Sequence, residues 1–274
     1  CVIGITGTNG KTTVKSLVAS ILTRHAPTHV NTGSFNNEIG LPLTLLSMPD
    51  DSRFAILEMG AGKPGDIDYL VRIALPQIGL VNNIAPAHLE RMGSIDGIAE
   101  TKGAVYAGLP ADGVAVINVD DAFSDYFTGL AGDRRIVRFG LGADADVSAR
   151  DIHQSETTQF ILTTPHGDIP VSLALSGRHN VLNALAATSI ALAVDVPLAT
   201  IKAALEAARA VSGRIARRAH PSGAEIIDDS YNANPASFAA AIDALANCAG
   251  RRILVMGDMR ELGSNGRRLH ADTG

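Results

Sequence analysis

The stretch that decides the fold lies at residues 2–14 and reads VIGITGTNGKTTV. Its β-branched and apolar residues predict a buried strand over 1–6, and apolar residues at helical spacing predict a helix over 11–24. The glycine-rich turn between them lets backbone N–H groups converge at the positive end of the helix dipole, where phosphate oxygens bind. A strand, a glycine-rich turn and a helix that opens on Lys11 and Thr12 therefore predict a nucleotide phosphate loop.

In this interpretation every residue of the turn and of the first helical positions contacts the nucleotide: Gly7, Thr8, Asn9, Gly10, Lys11, Thr12 and Thr13. Lys11 would neutralise β- and γ-phosphate charge, and the Thr12 hydroxyl would bind Mg²⁺. The general pattern G-x-x-x-x-G-K-[ST] has glycine where this chain has Ile5. The alternative interpretation is a glycine-rich turn that carries a lysine incidentally.

Composition excludes several classes of protein. The 274 residues are 46% hydrophobic and 19% charged, which is typical of a soluble α/β protein with a well-formed core. A net charge of −5 without long basic runs argues against a nucleic-acid partner. Cys1 and Cys248 show no disulfide or zinc spacing, so we expect a reducing cytoplasm. No apolar run is long enough to predict membrane insertion, and the start at Cys1 is typical of a fragment.

Apolar runs and helical patterns alternate along the first half, which predicts a mostly parallel sheet. The predicted strands of this part are 53–58, 78–82 and 114–118. Between 135 and 175 alternating segments predict antiparallel strands, among them 159–164 and 169–175 on either side of a Pro-His-Gly turn. The predicted helices that follow are 180–194 and 198–209.

A new unit begins after residue 211. It is predicted to contain a strand at 225–228, a helix at 237–247 and a strand at 252–256. We therefore predict two domains, a nucleotide-binding domain at 1–211 and the beginning of a second α/β domain at 212–274.

Three residues are candidates for a metal site. Glu58 ends a predicted parallel strand, on the side of such sheets where ligands bind, although a solvated loop carboxylate is the alternative. His88 follows the next predicted strand, and Lys102 lies 14 residues further on. Taken alone, His88 fits a hydrogen-bonded loop histidine and Lys102 fits a solvated helix residue.

The shortened G-T-N-G-K-T loop resembles that of the Mur ligases, ATP-dependent amide ligases of bacterial cell-wall synthesis, and of their folylpolyglutamate synthase relatives. Three further segments resemble the same family: GRHNVLNA at 177–184, VSGR at 211–214 and DDSYNANP at 228–235. The resemblance implies a P-loop central domain with a mostly parallel sheet and a small antiparallel sheet, followed by the start of a Rossmann-like domain. It also implies ATP and Mg²⁺ as cofactors.

The resemblance assigns roles to individual residues. His88 corresponds to a ligand of a second metal ion, and Lys102 to a lysine that holds the same ion after carbamylation; with Lys11 they form the catalytic set. Asn180 and Asn183 correspond to residues that bind the nucleotide base, although Asn180 could also be a plain helix N-cap. Arg214 would contact phosphate, and Asp229 the ribose or the γ-phosphate region, unless this segment is simple turn chemistry.

Two stretches indicate a branch of the family. NTGSFNNEIGLPLTLL at 31–46 and VMGDMRELG at 255–263 resemble the ligases that join D-alanyl-D-alanine to a UDP-muramyl tripeptide. Asn36 and Asn37 would then face the UDP-muramyl peptide, unless they are only turn residues. This resemblance implies two small-molecule substrates and a monomer, and we expect a fragment to bind nucleotide weakly and to turn over poorly.

Two other functions stay open from the sequence. A folylpolyglutamate synthase shares the loop and the metal residues, but Asn36 and Asn37 and the segment at 257–259 argue against it. A regulatory module that only binds nucleotide would not need a second metal, so the joint presence of Glu58, His88 and Lys102 argues against that reading.

Overall fold

The fold is built on a parallel sheet in the first part of the chain. The computed structural model describes residues 1–87, 89–154, 157–263 and 266–274. Within these residues a six-stranded sheet has the order β2-β3-β1-β4-β5-β6. Its strands are β1 (Val2–Thr6), β2 (Thr28–Val30), β3 (Phe54–Glu58), β4 (Ile78–Val81), β5 (Val114–Asn118) and β6 (Arg135–Phe139).

Helices cover both faces of this sheet. They are α1 (Lys11–Leu22), α2 (Gly40–Leu46), α3 (Asp66–Ala74), α4 (Leu89–Met92), α5 (Ile95–Ala107), α6 (Ser124–Ala131), α7 (Arg178–Ala193) and α8 (Leu198–Ala207). Side chains of α1, α7 and α8 pack on one face, and side chains of α3, α5 and α6 pack on the other. The central strand β1 is consequently enclosed, with Ile3 and Ile5 fully buried. Burial on both faces is why these strands read as continuous apolar runs.

The segment after β6 forms a small antiparallel sheet, as predicted. Strands β7 (Ser148–Gln154), β8 (Thr158–Thr164) and β9 (Gly167–Leu173) pair in the order β7-β8-β9. The prediction was wrong for 135–139, however, because β6 pairs parallel with β5 and extends the large sheet. Arginines at 135 and 138 break the apolar run, as at the edge of a sheet, so the pattern resembled that of a half-exposed antiparallel strand.

The chain after residue 211 contains less regular structure. It forms the hairpin of β10 (Ala216–Ala219) and β11 (Glu225–Asp228), then α9 (Pro235–Ala246) and α10 (Gly266–Thr273). The predicted strand at 252–256 is wrong, because these residues adopt no regular structure. No strand among the described residues pairs with them, and Ile253 and Val255 are 66% and 90% exposed. An apolar run becomes a strand only where a partner satisfies its backbone groups.

Within the part of the chain that the structure describes, none of the helices has both the length and the apolar character needed to cross a bilayer.

Candidate nucleotide-binding site

The glycine-rich loop follows β1 directly and leads into α1. Gly7 and Gly10 have φ angles of 140° and 80°, values that only glycine adopts without strain. A Cβ atom on Gly10 would lie 2.5 Å from both Asn82 Nδ2 and Asn183 Oδ1. Position 10 therefore requires glycine both for its backbone conformation and for the space that the two asparagines occupy.

Asparagines at the end of β4 hold the loop in place. The backbone N–H groups of Thr8 and Asn9 donate to the carbonyl and side-chain oxygens of Asn83, at 2.8 and 2.9 Å. Asn82 Nδ2 donates to the Asn9 carbonyl at 3.0 Å. Sequence reasoning gave neither asparagine a role, although polar residues directly after a buried parallel strand are a usable signal for a ligand-binding edge.

Lys11 turns back toward the loop. Its ammonium donates to the carbonyl oxygens of Gly7 and Thr8 at 2.8 and 2.9 Å. Burial lowers the pKa of Lys11 to about 8; the Glu58 carboxylate acts in the opposite direction, and the Arg214 guanidinium acts in the same direction as burial. Lys11 therefore lies directly beside the glycine-rich turn, where its charge could neutralise a bound phosphate.

Glu58, at the end of β3, joins three segments of the chain. It is 2% exposed, and its Oε2 accepts the Thr12 hydroxyl at 2.9 Å. The same oxygen lies 3.3 Å from the Lys15 ammonium, and Oε1 accepts from Asn36 Nδ2 at 2.8 Å. Sequence reasoning predicted Thr12, Glu58 and Asn36 as site residues but missed Lys15, since nothing local reveals which residue faces a carboxylate 43 positions away.

Lys102 is buried on α5 and lies next to the loop. It borders a small cavity of about 20 Å³ that Thr8 and Lys11 also line. Burial lowers the pKa of Lys102 well below its ordinary value; the charge of Lys11 acts in the same direction, and Asp66 opposes it. His88, predicted as the partner of Lys102, lies outside the described residues.

Asn180 and Asn183 lie in the first turns of α7 and are both buried. Asn183 Nδ2 donates to Asn180 Oδ1 at 3.1 Å, and Asn183 Oδ1 accepts from Asn82 at 2.9 Å. The helix begins at Arg178 with Gly177 as its N-cap, so the interpretation of Asn180 as an N-cap is wrong. The pair instead continues the amide network that supports the loop.

Two side chains from the chain beyond residue 211 reach the loop. Arg214 donates to the Thr12 hydroxyl at 3.0 Å, and its guanidinium lies 4.3 Å from the centre of the Tyr231 ring. Asn234 exchanges amide hydrogen bonds with Asn9, at 2.7 and 3.4 Å. The sequence predicted Arg214 near phosphate but gave no role to Asn234.

Asp229 fixes the start of this second region. Its Oδ1 accepts from the backbone N–H of Ile215 at 3.1 Å. Burial raises the pKa of Asp229, while the Ile215 hydrogen bond and the charge of Arg214 oppose that shift.

These segments enclose one large cleft of about 770 Å³. Most of the predicted site residues line it, namely Thr8, Asn9, Gly10, Lys11, Thr13, Asn36, Asn37, Glu58, Asn180, Asn183, Arg214 and Asp229. Gly7, Thr12 and Lys102 lie behind this lining, joined to it through the contacts already described.

The donor set beside the glycine-rich loop suits a hard cation. The described residues contain no cluster of three His, Cys, Asp or Glu side chains that could hold a metal without other ligands. The Thr12 hydroxyl and the Glu58 carboxylate are instead 2.9 Å apart beside the loop. A hydroxyl, a carboxylate and nucleotide phosphates together form the oxygen-rich set that Mg²⁺ prefers.

A parallel sheet whose first strand runs into this loop, with a lysine and a hydroxyl residue opening the helix, defines a nucleotide-binding protein of the P-loop type. Comparison with known proteins gives the family. Residues 5–191 match the Mur ligase middle domain, and residues 213–274 match the Mur ligase glutamate ligase domain. The chain belongs to the Mur ligase family.

Individual proteins of this family match nearly the whole chain. The chain is 41% identical over 275 residues to the UDP-N-acetylmuramoyl-tripeptide--D-alanyl-D-alanine ligase of Escherichia coli, covering all of this chain and 61% of that protein. Among solved structures, MurF from Acinetobacter baumannii matches with a TM-score of 0.96 at 38% identity, over 99% of this chain and 60% of that one. MurF ligase from Thermotoga maritima in complex with ADP matches with a TM-score of 0.87 at 30% identity, over 99% and 63%. The chain thus spans about 60% of the length of the curated relatives that it matches.

Proposed function

We propose that this chain is the nucleotide-binding part of an ATP-dependent amide ligase of peptidoglycan precursor synthesis, one that joins D-alanyl-D-alanine to UDP-N-acetylmuramoyl-tripeptide. The observation that carries the proposal is the Asn36 to Glu58 hydrogen bond, because it brings the predicted acceptor segment against the candidate metal carboxylate. The relatives named above support the choice of substrates, and the family supports ATP as the phosphoryl donor.

In this proposal the nucleotide lies along the cleft. Its phosphates bind the backbone of residues 7–13 and the Lys11 ammonium, and Arg214 adds a second cation from the other side. Asn180 and Asn183 bind the base, and Asp229 binds the ribose or the γ-phosphate region. A helix N-terminus with convergent N–H groups supplies the favourable electrostatics.

Mg²⁺ fits the site through Thr12 and Glu58. When bound, it would supply neutralisation of the charge that develops on the transferred phosphoryl group. We further propose that Lys102 binds a second ion together with His88 after its amine is carbamylated. The burial of Lys102 supports this role, since burial favours the neutral amine, which is the form that is nucleophilic toward CO₂.

The reaction needs no nucleophilic protein side chain. A carboxylate oxygen of the tripeptide attacks the γ-phosphorus of ATP, the bond to the β-phosphate oxygen breaks, and an acyl phosphate and ADP form. The neutral amine of D-alanyl-D-alanine then attacks the acyl carbon, phosphate leaves, and the amine loses a proton as the amide forms. Lys11 and Arg214 stabilise the phosphoryl group, while Asn36 and Asn37 orient the UDP-muramyl peptide.

The two predicted domains have different roles in this proposal. We propose that residues 1–211 hold the nucleotide and that 212–274 begin the domain that closes over it, since Arg214 and Asn234 extend from the second region to the loop. We propose a monomer in the cytoplasm, where its nucleotide-linked substrates would be available.

The test is phosphate release by a full-length protein carrying this chain, with ATP, Mg²⁺ and UDP-muramyl tripeptide, with and without D-alanyl-D-alanine. We expect release that requires both substrates, and an amide product confirmed by mass spectrometry. Release that responds to glutamate and a folate instead would establish the folylpolyglutamate synthase alternative. Nucleotide binding without any substrate-dependent release would establish a regulatory module. The isolated 274-residue chain should bind nucleotide weakly and turn over poorly.

A further inference from the structure

Lys15 is a buried cation for which the proposed reaction has no use. It lies on α1, one turn after Lys11, and only 5% of its surface is exposed. Unlike Lys11, it does not line the nucleotide cleft. Lysine is almost never buried to this degree unless its charge is paired and its three N–H donors are satisfied.

Three oxygen atoms surround the Lys15 ammonium. One is Oε2 of Glu58, at 3.3 Å. The other two are the carbonyl oxygens of Asn31 and Gly33, at 3.0 and 3.2 Å. The two carbonyl oxygens accept hydrogen bonds and the carboxylate forms an ion pair, so the positive charge lies directly behind the carboxylate that faces the cleft.

The loop at 31–37, which carries these two carbonyl groups, makes further contacts with Glu58. Asn31 exchanges hydrogen bonds with the backbone of Glu58, at 3.0 and 3.1 Å. Five residues further on, Asn36 donates to Glu58 Oε1 at 2.8 Å. The loop at 31–37 is thus attached to Glu58 through Asn36 and attached to Lys15 through its first carbonyl groups.

We infer that Lys15 is a positioning residue that couples the metal carboxylate Glu58 to the loop at 31–37, which presents Asn36 to the acceptor substrate. It fixes one carboxylate oxygen in place and balances its charge, so that the other oxygen and the Thr12 hydroxyl keep their geometry. It also holds the beginning of the loop. The role assigned to the loop rests on the proposed function, but the coupling between Lys15 and Asn36 through Glu58 does not.

A double-mutant cycle in the full-length protein tests this coupling. The variants are Lys15→Met, Asn36→Ala and the combination, and the readouts are KM for UDP-muramyl tripeptide, kcat, and the affinity for Mg²⁺·ADP by calorimetry. Lys15→Met should raise the acceptor KM by roughly tenfold, as expected for the loss of a hydrogen bond to a charged group. Asn36→Ala should then cost much less in the Lys15→Met background than in the wild type.

The matched control is Lys202→Met combined with Asn36→Ala. Lys202 also pairs with a glutamate and a backbone carbonyl, Glu206 and Pro170, but on α8 and away from the cleft. This control cycle should be additive within about twofold. If the Lys15 cycle is equally additive in both KM and Mg²⁺·ADP affinity, the inference is overturned.

The test must also distinguish a variant that fails to fold, and a failure of the proposed function, from a failure of the coupling. If Lys15→Met does not fold, as judged by its melting temperature, the same cycle with Lys15→Arg carries the test, because the planar guanidinium keeps the charge but cannot reproduce the three contacts. If the wild type forms no amide from these substrates, the proposed function fails. The cycle measured on Mg²⁺·ADP affinity then still decides whether Lys15 and Asn36 are coupled.

Discussion

The chain up to residue 211 and the chain after it are stabilised differently. Both large apolar clusters lie within this first part, one extending to Ala208 and the other to Ala131, and they enclose the parallel sheet on its two faces. Beyond 211 the buried apolar side chains among the described residues are Ala216, Ala244, Met259 and Leu262. Instead of a core of its own, the second region has polar contacts to the loop, made by Arg214 and Asn234.

This difference predicts that the first region is more rigid than the second. Groups held by a packed core keep their geometry without ligand, which is what a phosphate loop needs for electrostatic stabilisation. Groups held by a few hydrogen bonds open at low cost, which would suit the closing role proposed for the second region. Substitutions in the phosphate loop should therefore act on chemistry or folding, and substitutions of the polar contacts such as Asn234 should mainly change the opening of the second region.

Lys11→Ala should have the largest effect. We expect ATP-dependent phosphate release by the full-length protein to fall by about 10²–10³-fold, the usual loss for a cation that stabilises a transferred phosphoryl group. The melting temperature should not fall, since burial of this ammonium is itself unfavourable. Lys202→Ala serves as the control for removing a lysine. A loss of less than tenfold would show that Lys11 does not act on phosphate.

Gly10→Ala should destabilise the first region more than Gly65→Ala. Both glycines precede a helix and have similar φ angles, 80° and 85°, but only at Gly10 would a Cβ meet other atoms. The φ strain should cost about 1 kcal/mol in each variant, and the clash at position 10 about 1–3 kcal/mol more. Denaturant unfolding measures both values. Equal costs would mean that Asn82 and Asn183 move aside freely.

Affinity for metal-free ADP should depend on pH through Lys11. Its pKa is about 8 in the free protein, and only the protonated ammonium attracts phosphate, so affinity should fall as the pH rises through this value. We expect a loss of up to about tenfold between roughly pH 7.5 and 9.5, where the phosphates no longer titrate. Calorimetry measures it, with Lys11→Met as the control that should show a flat profile. The same slope in that variant would assign the effect to another group.

Asn234→Ala should have the smallest effect and should confine it to the second region. Its side chain caps α9 by accepting from the Ser237 N–H at 2.9 Å and also pairs with Asn9. We expect the opening free energy of α9 to fall by about 1–2 kcal/mol, measured by native-state hydrogen exchange. Ser237→Ala removes one half of the capping box but keeps the Asn9 pair, so it should cost about 0.5 kcal/mol. Equal losses would mean that the Asn9 pair contributes nothing.

Much of the first region was predictable from the sequence because its strands are buried on both faces. β5 was predicted with the observed bounds, and β1, β3 and β4 within one residue at an end. The three-residue strand β2 was missed, since so short a segment carries no periodicity. The residues at 252–256 are apolar, as in a buried strand. Strand formation also depends on a partner, however, and the described residues do not offer one.

The site was predictable in part for a similar reason. The loop, Glu58 and Asn180 carry local signals, such as a turn, a strand end or a helix start, and the structure brings them to one cleft. Lys15 and Asn234 could not be predicted, because each has its role through a contact with a residue distant in sequence. Helical periodicity would place Lys15 beside a partly buried face, but not beside a particular carboxylate.

Gly10 also limits how this site can change over generations. Its missing side chain leaves the space in which Asn82 and Asn183 meet, so every substitution at position 10 must displace these asparagines at a cost in stability. Replacing either asparagine first would remove support from the loop before any new side chain could use the space. Substitutions at these three positions therefore depend on one another. We expect variation in this protein to accumulate at the exposed rim of the cleft instead.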